Sequence, residues 1–179
     1  MFIKQLSHNS HNSFICLLRN QWLRINYLYS FKLLTYLSVV AVYVLIVIGG
    51  FVTSTGSGRA CPDWPLCHRQ IIPPLTTPIL IEYTHRLWTV VVSVLVVATT
   101  VAAWRGTRKP TRIRAFATLS LILFLSQVIL GMVTVLTESH PIIVTGHLAL
   151  ATALFASVVT NAGYVSMIKN KSQRDTDAK

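Results

Sequence analysis

Four long apolar runs decide what this chain can become: Leu33 to Val52, Ile79 to Ala103, Ala115 to Leu136 and Ile142 to Ile168. About 20 consecutive apolar residues cross a hydrocarbon core as a helix. Lipid offers the backbone no hydrogen-bond partner, so a spanning segment must satisfy its own polar groups. The apolar residues here run consecutively and lack the alternation of a barrel strand, which selects helices. The expected fold class is therefore an all-α integral membrane protein, a four-transmembrane-helix bundle. Apolar residues fill 53% of the 179 positions and the mean hydropathy is +0.57, too high for an ordinary soluble domain.

The formal charge of +11 raises nucleic acid as a partner, and the placement of the charges argues against it. Lys4, Arg19, Arg24 and Lys32 precede or open the first run; Arg105, Arg108, Lys109, Arg112 and Arg114 fill the second connection; Lys169, Lys171, Arg174 and Lys179 follow the fourth run. These groups flank alternate crossings. The other connections, with the start of the second run, hold Arg59, Arg69 and Arg86 against Asp63, Glu82 and Glu138. Positive charge accumulates on the cytoplasmic side, so both termini are expected in the cytoplasm and the loop 53–78 outside a cell membrane crossed several times. The expected organisation is a cytoplasmic N-terminal segment 1–31, a bundle 32–168 and a cytoplasmic tail 169–179. The first segment is read as an interfacial anchor, since its apolar patches from Phe14 to Leu18 and Trp22 to Leu28 are short and no cleavage pattern follows. The lysine-rich end is read as the close of a complete chain.

Topology separates the three cysteines. Cys61 and Cys67 fall in the outer loop, where oxidation is permitted, and Cys16 in the cytoplasmic stretch. A Cys61–Cys67 disulfide would close a ring of about seven residues and constrain the unfolded chain by roughly 2.4 kcal/mol. The rival, a metal site using Cys61, Cys67 and His68, lacks the usual ligand spacing and a second ligand pair. Gly56, Gly58, Pro62, Pro65, Pro73, Pro74 and Pro78 make the loop a turn-rich cap with Trp64 at the interface.

His85 and His147 each lie about six residues into a run that enters from the outer side, which places both at one depth. Glu82 stands one turn before His85 and Arg86 beside it, and ionisable groups within a bilayer are functional by default. Histidines on facing helices commonly build a cofactor site, and neutral imidazole is a good ligand for iron. The plainer alternative is that each imidazole is hydrogen-bonded inside the bundle. Glu82 shares a helix face with both His85 and Arg86, so it can orient an imidazole, manage a proton, or form an ion pair with Arg86. Arg86 in turn can meet the carboxylates of a ligand with its fork of donors. On the third helix Ser120, Gln127, Gly131 and Thr134 fall on one inward face; on the fourth, Ala149, Ala153, Ser157 and Asn161 form a ribbon turned away from His147. The segment from Leu136 to Pro141 is short enough to make a tight hairpin.

Residues 55–67, reading TGSGRACPDWPLC, and residues 81–86, reading IEYTHR, resemble the heme A synthase family of cytochrome oxidase assembly. Residues 127–135, reading QVILGMVTV, and the stretch from Pro141 to Leu148 resemble that family's third and fourth helices. The resemblance implies conversion of the heme O methyl group to a formyl group, giving heme A for terminal oxidases. It implies a heme b cofactor, with His85 and His147 as axial ligands of the heme iron, Glu82 and His85 as catalytic residues, and Arg86 and Gln127 as cofactor contacts. It also implies an outer Cys61–Cys67 disulfide, heme O as substrate, and a heme O synthase or a terminal oxidase as assembly partners. Family members typically carry eight spans in two four-helix halves, and this chain has one half; a homodimer, with Ala149 and Ala153 at its interface, would recreate the two. Thr53 stands where members often have an arginine. Two alternatives follow from the same residues: a b-type cytochrome that binds heme and transfers electrons, and a noncatalytic oxidase-assembly subunit.

Overall fold

The computed structural model describes residues 29–74, 76–105 and 110–177, with side chains given as far as Met167. The N-terminal stretch with Cys16, Arg108 and Lys109 of the second connection, and the side chains of the tail lie outside the described residues. The chain forms α1 (Tyr29–Ser54), α2 (Thr77–Arg105), α3 (Thr111–Leu136) and α4 (Pro141–Asp177). Each has the length and composition to cross a membrane. Among the described residues no β-strand occurs, and the loop between α1 and α2 holds a 3₁₀ turn, Ser57–Arg59, and a lone bridge between Cys67 and Gln70. The protein is thus an all-helical, multi-pass membrane protein.

Each helix outruns the apolar segment that announces it. Thr77 and Pro78 open α2 and Pro141 opens α4, positions where proline's missing N–H is no loss. At the other ends the helices continue into charged residues, because an exposed helical turn does not need to be apolar. The α3–α4 hairpin is tight, as expected: Glu138 and Ser139 take left-handed backbone, and the Ser139 N–H closes the turn on the Thr134 carbonyl at 2.9 Å.

Apolar side chains such as Val40, Val94, Ile122 and Ile129 face outward, as a lipid-bathed bundle requires. Two apolar clusters run down the interior. Ala41, Val42, Val92, Val96, Phe124, Leu154 and Val158 fill the middle, and Phe31, Ala103, Ile113, Ala117 and Val165 fill the end remote from the loop. Between them hydroxyl groups cross the helix interfaces: Ser38 to Thr99 at 3.1 Å, Ser120 to Ser157 at 2.9 Å, and Thr100 to the Ala117 carbonyl at 3.0 Å. Trp88 adds a bond from its indole N–H to the Ala41 carbonyl at 2.9 Å. Such bonds average about 0.6 kcal/mol in membrane bundles, so their use is to fix which helix meets which.

The expected ribbon on α4 does not hold together as one face. Ala149 and Ala153 are exposed, whereas Ser157 and Asn161 are buried. A spacing of four residues overshoots a turn of 3.6 residues by about 40° per step. Over three steps the ribbon swings into the bundle, and Ser157 reaches Ser120.

Candidate functional site

At the loop end the four helices part around a cavity of about 1470 Å³. Small-molecule sites usually span about 300–1,000 Å³, so the hollow suits something larger than a typical metabolite. Its walls bring together Glu82, His85 and Arg86 of α2, Gln127 and Thr134 of α3, and His147 of α4. The histidines and Gln127, singled out in the sequence as separate signals, therefore face one space.

The imidazoles are seated in an unusual way. Gly49 of α1 faces His85, and a Cβ added there would lie 3.1 Å from the ring's Cε1; Gly131 of α3 faces His147, with the corresponding distance 3.3 Å. Each histidine thus occupies room that a neighbouring helix provides by having no side chain. Neither ring makes a hydrogen bond among the described residues, and both Nδ1 atoms are buried without a partner, as is Oε1 of Gln127. The alternative of imidazoles satisfied within the bundle is not what the structure holds. Buried polar atoms are nearly always paired, and three orphans around one cavity are best explained by a ligand that occupies it.

No group of three or more His, Cys, Asp or Glu side chains converges among the described residues. The donor set in the cavity is two imidazoles in an apolar wall. That set suits an iron that arrives within a macrocycle supplying its own equatorial ligands, so a heme fits these residues.

Glu82 is 5% exposed, a carboxylate buried in a membrane helix. Its ion pair is with Arg86, whose Nε donates to Oε1 at 2.8 Å. Arg86 is engaged elsewhere as well: Nη1 donates to the Asp63 and Leu66 carbonyls at 2.7 and 2.6 Å, and Nη2 to the Cys61 carbonyl at 3.0 Å. Four of its N–H donors point away from a ligand. Arg59, on the 3₁₀ turn, is the opposite case: it lines the cavity, is exposed, and makes no hydrogen bond or ion pair among the described residues. Sequence reasoning passed over Arg59 as a ligand contact, and it noted Gly131 only as a small group and Gly49 not at all. A glycine near histidine depth on each neighbouring helix was the available signal.

The cap over the cavity is held at several points. Cys61 and Cys67 form a disulfide with their Cα atoms 4.8 Å apart, which consumes both sulfurs and removes the rival metal site. His68 Nε2 lies 3.0 Å from the Ala60 carbonyl, Asp63 accepts the Arg69 N–H at 2.7 Å, and the Tyr83 hydroxyl donates to the Ile71 carbonyl at 2.7 Å. Trp64, Pro65 and Leu66 line the cavity, so the loop is part of its wall.

Comparison with known proteins identifies the family. The sequence matches the family model for cytochrome oxidase assembly proteins over residues 32–79 and 76–179. Among similar proteins are the heme A synthases of Bacillus pumilus, 34% identical over 128 residues, and of Shouchella clausii, 33% identical over 130 residues. These alignments cover 69% and 72% of this chain but 42% and 43% of the relatives. A heme A synthase of Listeria monocytogenes is 27% identical over 143 residues, covering 78% of this chain and 47% of its own. The chain spans less than half the length of the curated relatives it matches.

Proposed function

Because this chain belongs to the cytochrome oxidase assembly protein family, we propose that it acts in heme A biosynthesis as a membrane oxidoreductase, converting the heme O methyl group to a formyl group. The observation that carries the reading is the pair of unpartnered imidazoles, His85 and His147, facing one large cavity beside the buried carboxylate Glu82.

In this reading His85 and His147 hold the iron of a heme, either a resident heme b or the heme O substrate, and the apolar wall receives the macrocycle and its isoprenoid tail. Bound heme supplies the electron-transfer chemistry. The chain's own contributions are positional and protonic. Gly49 and Gly131 give the imidazoles their room, and Gln127 offers an unpaired amide oxygen to whatever lies between α3 and α4. Arg59 carries the free guanidinium, so it is the group that meets the ligand's carboxylates. Going from a methyl group and water to a formyl group releases four protons with four electrons; the reaction requires an external oxidant to take the electrons, and Glu82 is the carboxylate at the cavity wall that can accept a proton. The charge asymmetry supports cytoplasmic termini with the cap outside, which places the cavity near the outer leaflet.

The test is to coexpress the chain with a heme O-producing farnesyltransferase in a host lacking heme A, and to identify extracted hemes by chromatography and mass spectrometry. Heme A or its hydroxylated precursor is expected, and Glu82→Gln should abolish it while heme remains bound. Heme B and heme O alone, with folded protein in the membrane, would contradict the proposed reaction and leave a heme-binding protein.

A further inference from the structure

The three backbone carbonyls that receive Arg86, those of Cys61, Asp63 and Leu66, all belong to the short ring that the Cys61–Cys67 disulfide closes. A chain forced around such a ring can turn several carbonyls inward together, and here they converge on one guanidinium. The fit is specific to arginine. A guanidinium presents five N–H donors in a fixed planar fork, whereas an ammonium is a compact point charge that cannot reach three carbonyls and a carboxylate at once. The remaining engaged donor, Nε, holds Glu82.

We propose that the disulfide-closed ring is a guanidinium receptor and that Arg86 is a positioning residue seated in it, so that the ring, acting through Arg86, sets where the Glu82 carboxylate stands in the cavity wall. The chain of contacts is continuous. The disulfide shapes the ring, the ring fixes the guanidinium, and the guanidinium fixes the carboxylate. Among the described residues Cys61 and Cys67 make no hydrogen bond to Glu82 of their own, yet opening their bond removes the receptor and releases Glu82. The loop thereby acquires a part beyond covering the cavity: its covalent state governs a buried carboxylate on a different element. This inference rests on the reading above only in giving Glu82 a use, since the coupling itself belongs to the loop and α2.

The experiment is carbodiimide modification of Glu82, followed by peptide mass mapping, on the purified full chain loaded with heme b. A carboxylate locked in a buried ion pair is shielded, and one released into an apolar wall reacts. Wild type should be protected. Arg86→Lys and the double variant Cys61→Ser/Cys67→Ser should both expose Glu82 by about tenfold or more, because neither retains a guanidinium fixed in the ring to hold the carboxylate. Combining the three substitutions should add nothing further, because one linkage is being cut twice; a general loosening would add. Protection of Glu82 retained in the cysteine variant, with reactivity in Arg86→Lys, would overturn the receptor role, and protection retained in Arg86→Lys would overturn the positioning role. If the cysteine variant fails to fold, Arg86→Ala decides the matter. A preformed receptor predicts that millimolar methylguanidinium restores protection where equal ammonium does not, and equal behaviour of the two cations would overturn it. Modification is read without product formation, so a missing heme A in coexpression with this pattern intact would refute the reaction and leave the coupling standing.

Discussion

The two ends of the bundle are built on opposite principles. At the end remote from the loop, hydroxyl groups find partners across every neighbouring interface described, with the buried Asn161 Oδ1 beside them as the exception, and Phe31, Ala103 and Ile113 close the space between the helices. At the loop end the same helices separate, glycines stand where side chains would fill the gap, and two imidazoles and an amide oxygen are left unpaired. A membrane bundle gains little from burying apolar groups that lipid solvates equally well, so small residues and interhelical hydrogen bonds hold one end together. That frees the other end to stay hollow. The lesson is a division of labour along the helix axis: one end supplies stability and the other is shaped around a guest.

The division predicts that substitutions at the two ends fail in different ways. The largest effect should come from His85→Ala with His147→Ala, which is expected to abolish heme b binding while leaving the unliganded fold intact, as read by loss of the Soret band beside an unchanged thermal unfolding curve. Folding that collapses without ligand would mean that the loop end also carries stability. Arg86→Gln is the substitution that should cross the divide. It leaves a buried carboxylate and several loop carbonyls without their partner, a loss of about 3 kcal/mol, measurable by denaturation in detergent.

Smaller effects sharpen the contrast. Gly49→Ala and Gly131→Ala each place a methyl group against an imidazole, at 3.1 and 3.3 Å from Cε1. Both should weaken heme b binding by about tenfold, equivalent to ~1.4 kcal/mol, with the closer Gly49 site affected more. Equal binding in both variants would show that the histidines have room to retreat. Smallest of all, Ser120→Ala removes the bond to Ser157 and should cost about 0.6 kcal/mol of stability with no change in heme affinity.

Much of this was readable from the chain because each signal was local. The spans follow from unbroken apolar runs, and the hairpin from the four residues between Leu136 and Pro141. The convergence of His85, Gln127 and His147 follows from depth and helix face. The α4 ribbon misled because a repeat of four residues is not a repeat of the helix, and the error accumulates from Ala149 to Asn161. Arg86 could be assigned two roles from spacing, and the ion pair with Glu82 was one of them. Its seat among the Cys61, Asp63 and Leu66 carbonyls depends on the path of a loop rich in proline, which no periodicity encodes. Gly49 escaped notice for a related reason: a glycine in an apolar run acquires meaning only from the side chain that leans on it.

The most direct measurement is a titration of the purified chain with heme b, followed by low-temperature electron paramagnetic resonance. The account predicts a low-spin ferric signal from two imidazole ligands, lost in both His85→Ala and His147→Ala. A high-spin signal in the wild-type protein, or a low-spin signal that survives either substitution, would contradict the assignment of the cavity.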